Sequence, residues 1–274
     1  MEKTMIETIN ATAGYIRGAV GEMPDTAVIL GTGLGDLVNQ IKITKELDYH
    51  NIPNFPVSTV EGHSGKLIFG MLGGKYIMAM QGRFHYYEGY DMKQVTFPVR
   101  VMKALGVKTL FVSNAAGGMN KKFRVGDVMV ITDHINLFPE NPLRGKNYEE
   151  LGPRFPAMTE PYSGRLIEMA DAIAAADGIR LMHGVYVGTQ GPTFETRAEY
   201  EYFRIIGGDA VGMSTVPEVI VANHSGMEVF GVSVITDLGG KEITEAPSHE
   251  EVQKAAVKAQ PVMTRIITEM VGRL

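Results

Sequence analysis

The 274-residue sequence contains no cysteine. That excludes disulfide stapling and any thiolate zinc site, and it fits a reducing compartment. No apolar run approaches the ~20 residues that a membrane-spanning helix needs. The first residues carry Glu2 and Glu7 without the apolar stretch of a secretory signal, so a cytoplasmic location is expected. Positive charge is not in excess: 26 Lys and Arg stand against 31 Asp and Glu, a net charge of −5. That balance argues against nucleic acid or a membrane surface as partner. There is no H-E-x-x-H and no G-x-S-x-G, and the Lys-Ser/Thr of a P-loop is missing. His50, His134, His183 and His224 show no metal-ligand spacing, so no metal is expected. Repeats, low-complexity tracts and linkers are also missing, which suits a single domain over residues 1–274.

What remains is a chain that is 45% hydrophobic, enough to bury a sizeable core. Met5, Ile9, Ala13 and Ile16 recur at helical spacing. Short apolar runs bounded by glycine follow at Ala27–Leu30, Leu67–Phe69, Tyr76–Met80, Thr109–Val112, Val128–Thr132, Val185–Val187, Ala210–Met213 and Val229–Ile235. Continuous rather than alternating runs suit strands buried on both faces. Three pairs have capping-box spacing: Thr196 with Glu199, Thr215 with Glu218, and Ser248 with Glu251. The last opens a helix whose apolar face is Val252, Ala256, Ala259, Met263, Ile266 and Met270, with a kink expected at Pro261. The alternation predicts an α/β fold with a mixed, mostly parallel central β-sheet flanked by helices.

In such sheets ligands bind at the carboxyl ends of strands, and six of these ends carry suggestive residues. Gly31-Thr32-Gly33-Leu34-Gly35-Asp36 is a glycine-rich turn able to present N–H groups to a phosphate. Its glycine spacing does not match the dinucleotide fingerprint, which counts against an oxidoreductase. Arg83 and His85, two apart, point the same way if extended and suit an oxyanion. Ser113-Asn114-Ala115-Ala116-Gly117-Gly118 lets a ligand approach the backbone. Phe194 and Glu195 could stack on a heterocycle and accept its N–H groups. Ser214 lies at a helix start, and Asp237 closes the last strand. Each has a plain structural explanation taken singly; six together point to one crevice.

The ordered set Gly31–Gly35, Glu61–Gly65, Gly82–Gly89, Asn114–Gly118, Arg154–Met158, Gly191–Thr196 and Gly212–Glu218 resembles the trimeric class of purine nucleoside phosphorylases over nearly the whole chain. The resemblance implies a pentosyltransferase that reversibly cleaves purine ribo- or deoxyribonucleosides with phosphate in purine salvage. The products are the free base and a pentose 1-phosphate. Phosphate is a co-substrate and no cofactor is implied. Thr32, His63, Arg83, His85, the Ala115 backbone and Ser214 would hold phosphate. Tyr87, Met213 and His249 would contact the ribose. Phe155 would close a neighbouring subunit's pocket, hence a homotrimer. Phe194, Val211, Glu195 and Asp237 would receive the purine, with His85, Glu195 and Asp237 nearest the chemistry.

Asp237 departs from the asparagine usual in enzymes for 6-oxopurines. Ionised, it cannot donate to N7 or O6 but can accept from a 6-amino group; buried and protonated, it can donate. The resemblance therefore predicts inosine and guanosine as main substrates with more adenosine tolerance than usual. A 5′-methylthioadenosine phosphorylase is the alternative, disfavoured because His249 suits a 5′-hydroxyl. A non-catalytic nucleoside-binding protein is a further one, disfavoured by the intact set Arg83, His85, Asn114 and Ser214.

Overall fold

The computed structural model describes residues 4–31, 35–57, 65–240 and 248–274, apart from the side chains of Asp36 and His249. Thr32 and His63 lie outside the described residues. Each apolar run becomes a strand, in the order α1 (Met5–Val20), β1 (Thr26–Leu30), β2 (Lys42–Asp48), β3 (Lys66–Leu72), β4 (Lys75–Gln81), α2 (Met92–Leu105), β5 (Thr109–Gly118) and β6 (Val128–Asn136). There follow α3 (Gly164–Asp177), β7 (Leu181–Gly188), α4 (Arg197–Ile205), β8 (Ala210–Gly212), α5 (Val216–His224), β9 (Glu228–Leu238) and α6 (His249–Arg273). The spacing did not predict β2, because Lys42, Lys45, Glu46 and Asp48 face solvent along an edge strand.

The described strands form one mixed sheet in the order β2-β3-β4-β1-β5-β8-β7-β6-β9, with β9 also paired to β5. β1 runs parallel to β4 and β5, and β5 parallel to β9. β7 runs parallel to β6 and β8. β8 meets β5 antiparallel, with Gly117 opposite Val211. The carboxyl ends of β5 and β8 therefore run past one another, which brings Asn114–Gly117 and Gly212–Ser214 to one place.

Both sheet faces are buried, as continuous apolar runs demand. On β1, Ala27 and Ile29 join one core cluster with Ile16 of α1, Val99 of α2 and Val219 of α5. Val28 and Leu30 join a second with Leu166 of α3 and Met263 of α6. A small third cluster of Met119, Val187, Tyr200, Phe203 and Val211 holds α4.

The capping boxes at Thr196–Glu199 and Ser248–Glu251 form as expected. The Thr215–Glu218 box does not. Thr215 has φ 69° and caps nothing with its side chain, and the Glu218 carboxylate is taken by Arg83. α6 runs through Pro261 as one element, and its predicted apolar face is buried throughout. Met263 is fully buried in that face. Met263→Ala is expected to lower the unfolding free energy by ~2–5 kcal/mol. Val257→Ala, at a half-exposed position on the same helix, stays within ~0.5 kcal/mol. Chemical denaturation of the two variants checks the contrast.

Candidate active site

The carboxyl ends of β4, β5, β8 and β9, with the segment after β7, enclose a cavity of about 340 Å³. Arg83 and His85 come from the turn after β4, Asn114–Gly117 from β5, Phe194 and Glu195 from the approach to α4, Gly212–Ser214 from β8, and Thr236 and Asp237 from β9. Gly31 directly follows β1 beside them. A Cβ there would lie 2.7 Å from the Ser113 carbonyl and 3.1 Å from Arg83 Nη1, so only glycine lets β1 and β5 close over the guanidinium.

One end of the cavity is rich in donors. Arg83 is 1% exposed, and its Nε and Nη2 donate to the two carboxylate oxygens of Glu218 at 3.1 and 2.7 Å. Nη1 donates to the Ser113 carbonyl at 2.5 Å. The forked pair fixes the plane of the guanidinium. His85 is also buried, with Nδ1 3.0 Å from Glu88 Oε1 and its ring stacked 4.7 Å from Tyr87. Burial lowers its pKa, against the opposing pull of Glu88. A neutral imidazole that donates from Nδ1 to Glu88 has its acceptor at Nε2. Asn114 Nδ2 donates to Thr215 Oγ1 at 2.9 Å, and that hydroxyl lies 3.1 Å from Ser214 Oγ. Asn114 Oδ1 is buried without a hydrogen-bond partner among the described residues. The positive φ of Thr215, rare for a β-branched residue, holds these hydroxyls at the start of α5. This constellation can hold a tetrahedral oxyanion.

The other end carries two carboxyls. Glu195 is pushed up to about 7, by burial first and then by the neighbouring charges of Asp237 and Glu199. Burial also raises Asp237. Asp237 accepts from Thr236 Oγ1 at 2.9 Å and from Tyr200 OH at 3.1 Å. Tyr87, Met213, Val211 and Phe194 also line the cavity. A planar heterocycle with several donors and acceptors fits the carboxyl end, and the apolar lining suits the body of a small ligand.

Of the predicted residues, Arg83, His85, Tyr87, Ala115, Phe194, Glu195, Val211, Met213, Ser214 and Asp237 meet at this cavity. Thr32, His63 and the His249 side chain lie outside the described residues. Phe155 does not line the cavity; it is 87% exposed, with Arg154 over its ring. Sequence reasoning missed Glu88, Glu218 and Tyr200. Glu88 lies three residues from His85 and shares its turn, a signal that could have been found. Glu218 is 135 residues from Arg83, and nothing local marks it as an ion-pair partner.

The raised Glu195 pKa makes folding pH-dependent. The folded state keeps its proton up to about pH 7, whereas the unfolded chain releases it near the ordinary value of 4.5. Stability from this group is therefore full below the unfolded value and declines as pH rises toward 7. Glu195→Gln is expected to flatten that decline. Denaturation midpoints of both proteins from pH 4 to 8 check it.

Comparison with known proteins matches residues 25–272 to the model of the phosphorylase superfamily. The chain is 49% identical over 274 residues to purine nucleoside phosphorylase 1 of Geobacillus stearothermophilus, covering 100% of this chain and 99% of that one. Among solved structures, a schistosoma purine nucleoside phosphorylase in complex with hypoxanthine superposes with a TM-score of 0.94 at 41% identity, covering 100% and 99% of the two chains. The Schistosoma mansoni enzyme in complex with adenosine gives the same TM-score and identity, covering 99% of each. With a match across nearly all its length and the residues of the cavity in place, the chain belongs to the phosphorylase superfamily and, within it, to the purine nucleoside phosphorylases.

Proposed function

We propose that the chain catalyses reversible phosphorolysis of purine nucleosides, cleaving inosine and guanosine and, through Asp237, accepting adenosine. The observation that carries this reading is the cavity itself, which gathers Arg83, His85 and Ser214 in a polar group able to hold an anion, the carboxyls of Glu195 and Asp237, and apolar lining from Met213, Val211 and Phe194. Phosphate sits at the polar group, with Arg83, His85, the Ala115 backbone and Ser214 around it. Thr32 and His63 complete the set by resemblance. The purine sits at the carboxyls, Phe194 and Val211 against its faces. Tyr87 and Met213 flank the ribose, and His249 is assigned to the 5′-hydroxyl. Phosphate is a co-substrate and no further cofactor takes part.

In the reaction a phosphate oxygen bonds to C1′ as the C1′–N9 bond breaks, and the bonding pair leaves with the base. Positive charge grows on the sugar and is offset by the phosphate dianion beside it. Negative charge grows on the purine and is offset by a proton donated to the base; at N7 of a 6-oxopurine that role is open to Asp237 in its protonated form. Holding both substrates in one cavity removes much of the entropic barrier. Glu195 accepts N1–H of a 6-oxopurine when ionised.

The exposure of Phe155 supports a homotrimer in which this ring covers the pocket of a neighbouring copy. Absence of cysteine supports a cytoplasmic location. Among the described residues no helix is long and apolar enough to cross a membrane.

The first test mixes the protein with inosine, with and without phosphate. Hypoxanthine release that requires phosphate and yields ribose 1-phosphate is expected; release without phosphate would indicate a hydrolase and overturn the anion-site reading. Ser214→Ala is expected to raise KM for phosphate about tenfold, the equivalent of one hydrogen bond to a charged acceptor. Asp237→Asn can no longer take a 6-amino proton on a charged oxygen. It is expected to lower kcat/KM for adenosine at least ~tenfold relative to inosine, measured with both nucleosides at saturating phosphate.

A further inference from the structure

The hydroxyl of Tyr200 donates to Asp237 Oδ2 at 3.1 Å, and its pKa is raised by burial and then by the charges of Asp237 and Glu195, which puts the second carboxyl close to the phenol. Tyr200 is 7% exposed and packs in the small cluster that anchors α4. A Cβ on Gly117 would lie 2.7 Å from this hydroxyl and 3.0 Å from Asp237 Oδ2, so β5 leaves room for the bridge by having no side chain there. The groups around the two carboxyls are few. Asp237 faces Thr236 and Tyr200. Glu195 faces its own backbone N–H, the charges of Asp237 and Glu199, Tyr200, and the Thr189 hydroxyl at 3.5 Å. Neither has a cationic partner among the groups shown to act on it.

From this geometry, and resting on the phosphorolysis reading above, we infer that Tyr200 is a specificity-determining residue whose rotating hydroxyl lets Glu195 and Asp237 share one proton, so that the same site reads both 6-oxo- and 6-aminopurines. The two bases present opposite patterns. Inosine offers a donor at N1 and acceptors at O6 and N7. Adenosine offers an acceptor at N1 and a donor at its 6-amino group. With inosine, the proton resides on Asp237, which donates to the base, while Glu195 is ionised and accepts N1–H. With adenosine, the proton resides on Glu195, which donates to N1, while Asp237 is ionised and accepts from the amino group. A phenol hydroxyl can turn its single proton to either side. In each complex it therefore donates to whichever carboxyl carries the charge. The proton count of the pair is the same in both complexes. Passage between them moves one proton from Glu195 to the Tyr200 oxygen and the phenolic proton on to Asp237, or back.

Two half-buried carboxyls that line one cavity, one raised to about 7 and the other also raised, agree with a pair that holds a proton near neutrality. Tyr200 does not support the two anions equally. Asp237 keeps Thr236 as a side-chain donor at 2.9 Å when the phenol is removed, whereas Glu195 keeps its backbone hydrogen bond and only the longer Thr189 contact at 3.5 Å. Loss of the hydroxyl should therefore weigh more heavily on inosine.

The test measures kcat/KM for adenosine and inosine from pH 6 to 8 at saturating phosphate. In the unaltered protein the adenosine-to-inosine ratio is expected to stay constant, because both complexes hold one proton on the pair. Ionisation of phosphate and of His85 affects both substrates and cancels in the ratio. If Asp237 instead kept one protonation state throughout, adenosine would need one more proton than inosine. The ratio would then fall about tenfold per pH unit across the whole range. Tyr200→Phe is expected to lower inosine kcat/KM about tenfold more than adenosine kcat/KM; a structural role would lower both alike. A drifting ratio, an equal loss in Tyr200→Phe, or inosine cleavage with none of adenosine overturns this inference alone. Failure of phosphate to promote cleavage of either nucleoside overturns the functional reading with it.

Discussion

The buried fork between Arg83 and Glu218 is the constraint on which the rest of the site depends. It ties the turn after β4 to the first turn of α5, and Arg83 also reaches the Ser113 carbonyl on β5. Three elements distant in sequence are thus fixed at one guanidinium. Removing both charges from water is costly, and a buried ion pair is seldom retained for stability alone. Here it has a geometric use. It sets the plane of the guanidinium beneath the cavity, and it leaves the amino end of α5 beside Ser214 and Thr215.

The commitment of Glu218 to Arg83 goes with an unusual backbone at Thr215. A capping box would have used the Glu218 carboxylate locally. With the carboxylate on Arg83 that box is absent, and Thr215, at positive φ, has its hydroxyl against Asn114 and Ser214 instead. Local helix chemistry is given up so that a polar network can form at the cavity. The cost is the backbone strain of a β-branched residue in a sparsely populated region.

The cavity then has two electrostatically distinct ends held by one sheet. Arg83, His85 and the hydroxyls gather where β4 and β8 end, and Glu195 and Asp237 where α4 begins and β9 ends. Burial acts on both ends in opposite senses. It lowers the pKa of His85 and raises those of Glu195 and Asp237, in each case favouring the neutral form. With Glu195 pushed up to about 7, the carboxyl end can exchange a proton with a departing purine at little expense.

Much of this was determined by the sequence itself. Apolar runs bounded by glycine marked eight strands because a strand buried on both faces has no polar side to show. The spacing of apolar residues in α6 marked its buried face, and the strand-end motifs marked most of the cavity's lining. The charged edge strand β2 escaped because its side chains meet water and leave no apolar pattern. Tertiary structure alone decided which partners the polar groups take. Glu218 could serve as a cap or as a counter-ion to Arg83, and Tyr200 could be one more apolar face of α4 or a bridge between two acids. Such choices rest on distances between residues 135 and 37 positions apart. Hydrogen bonds and ion pairs act over a few ångströms of space, and the linear order of residues does not carry those distances until the chain has folded.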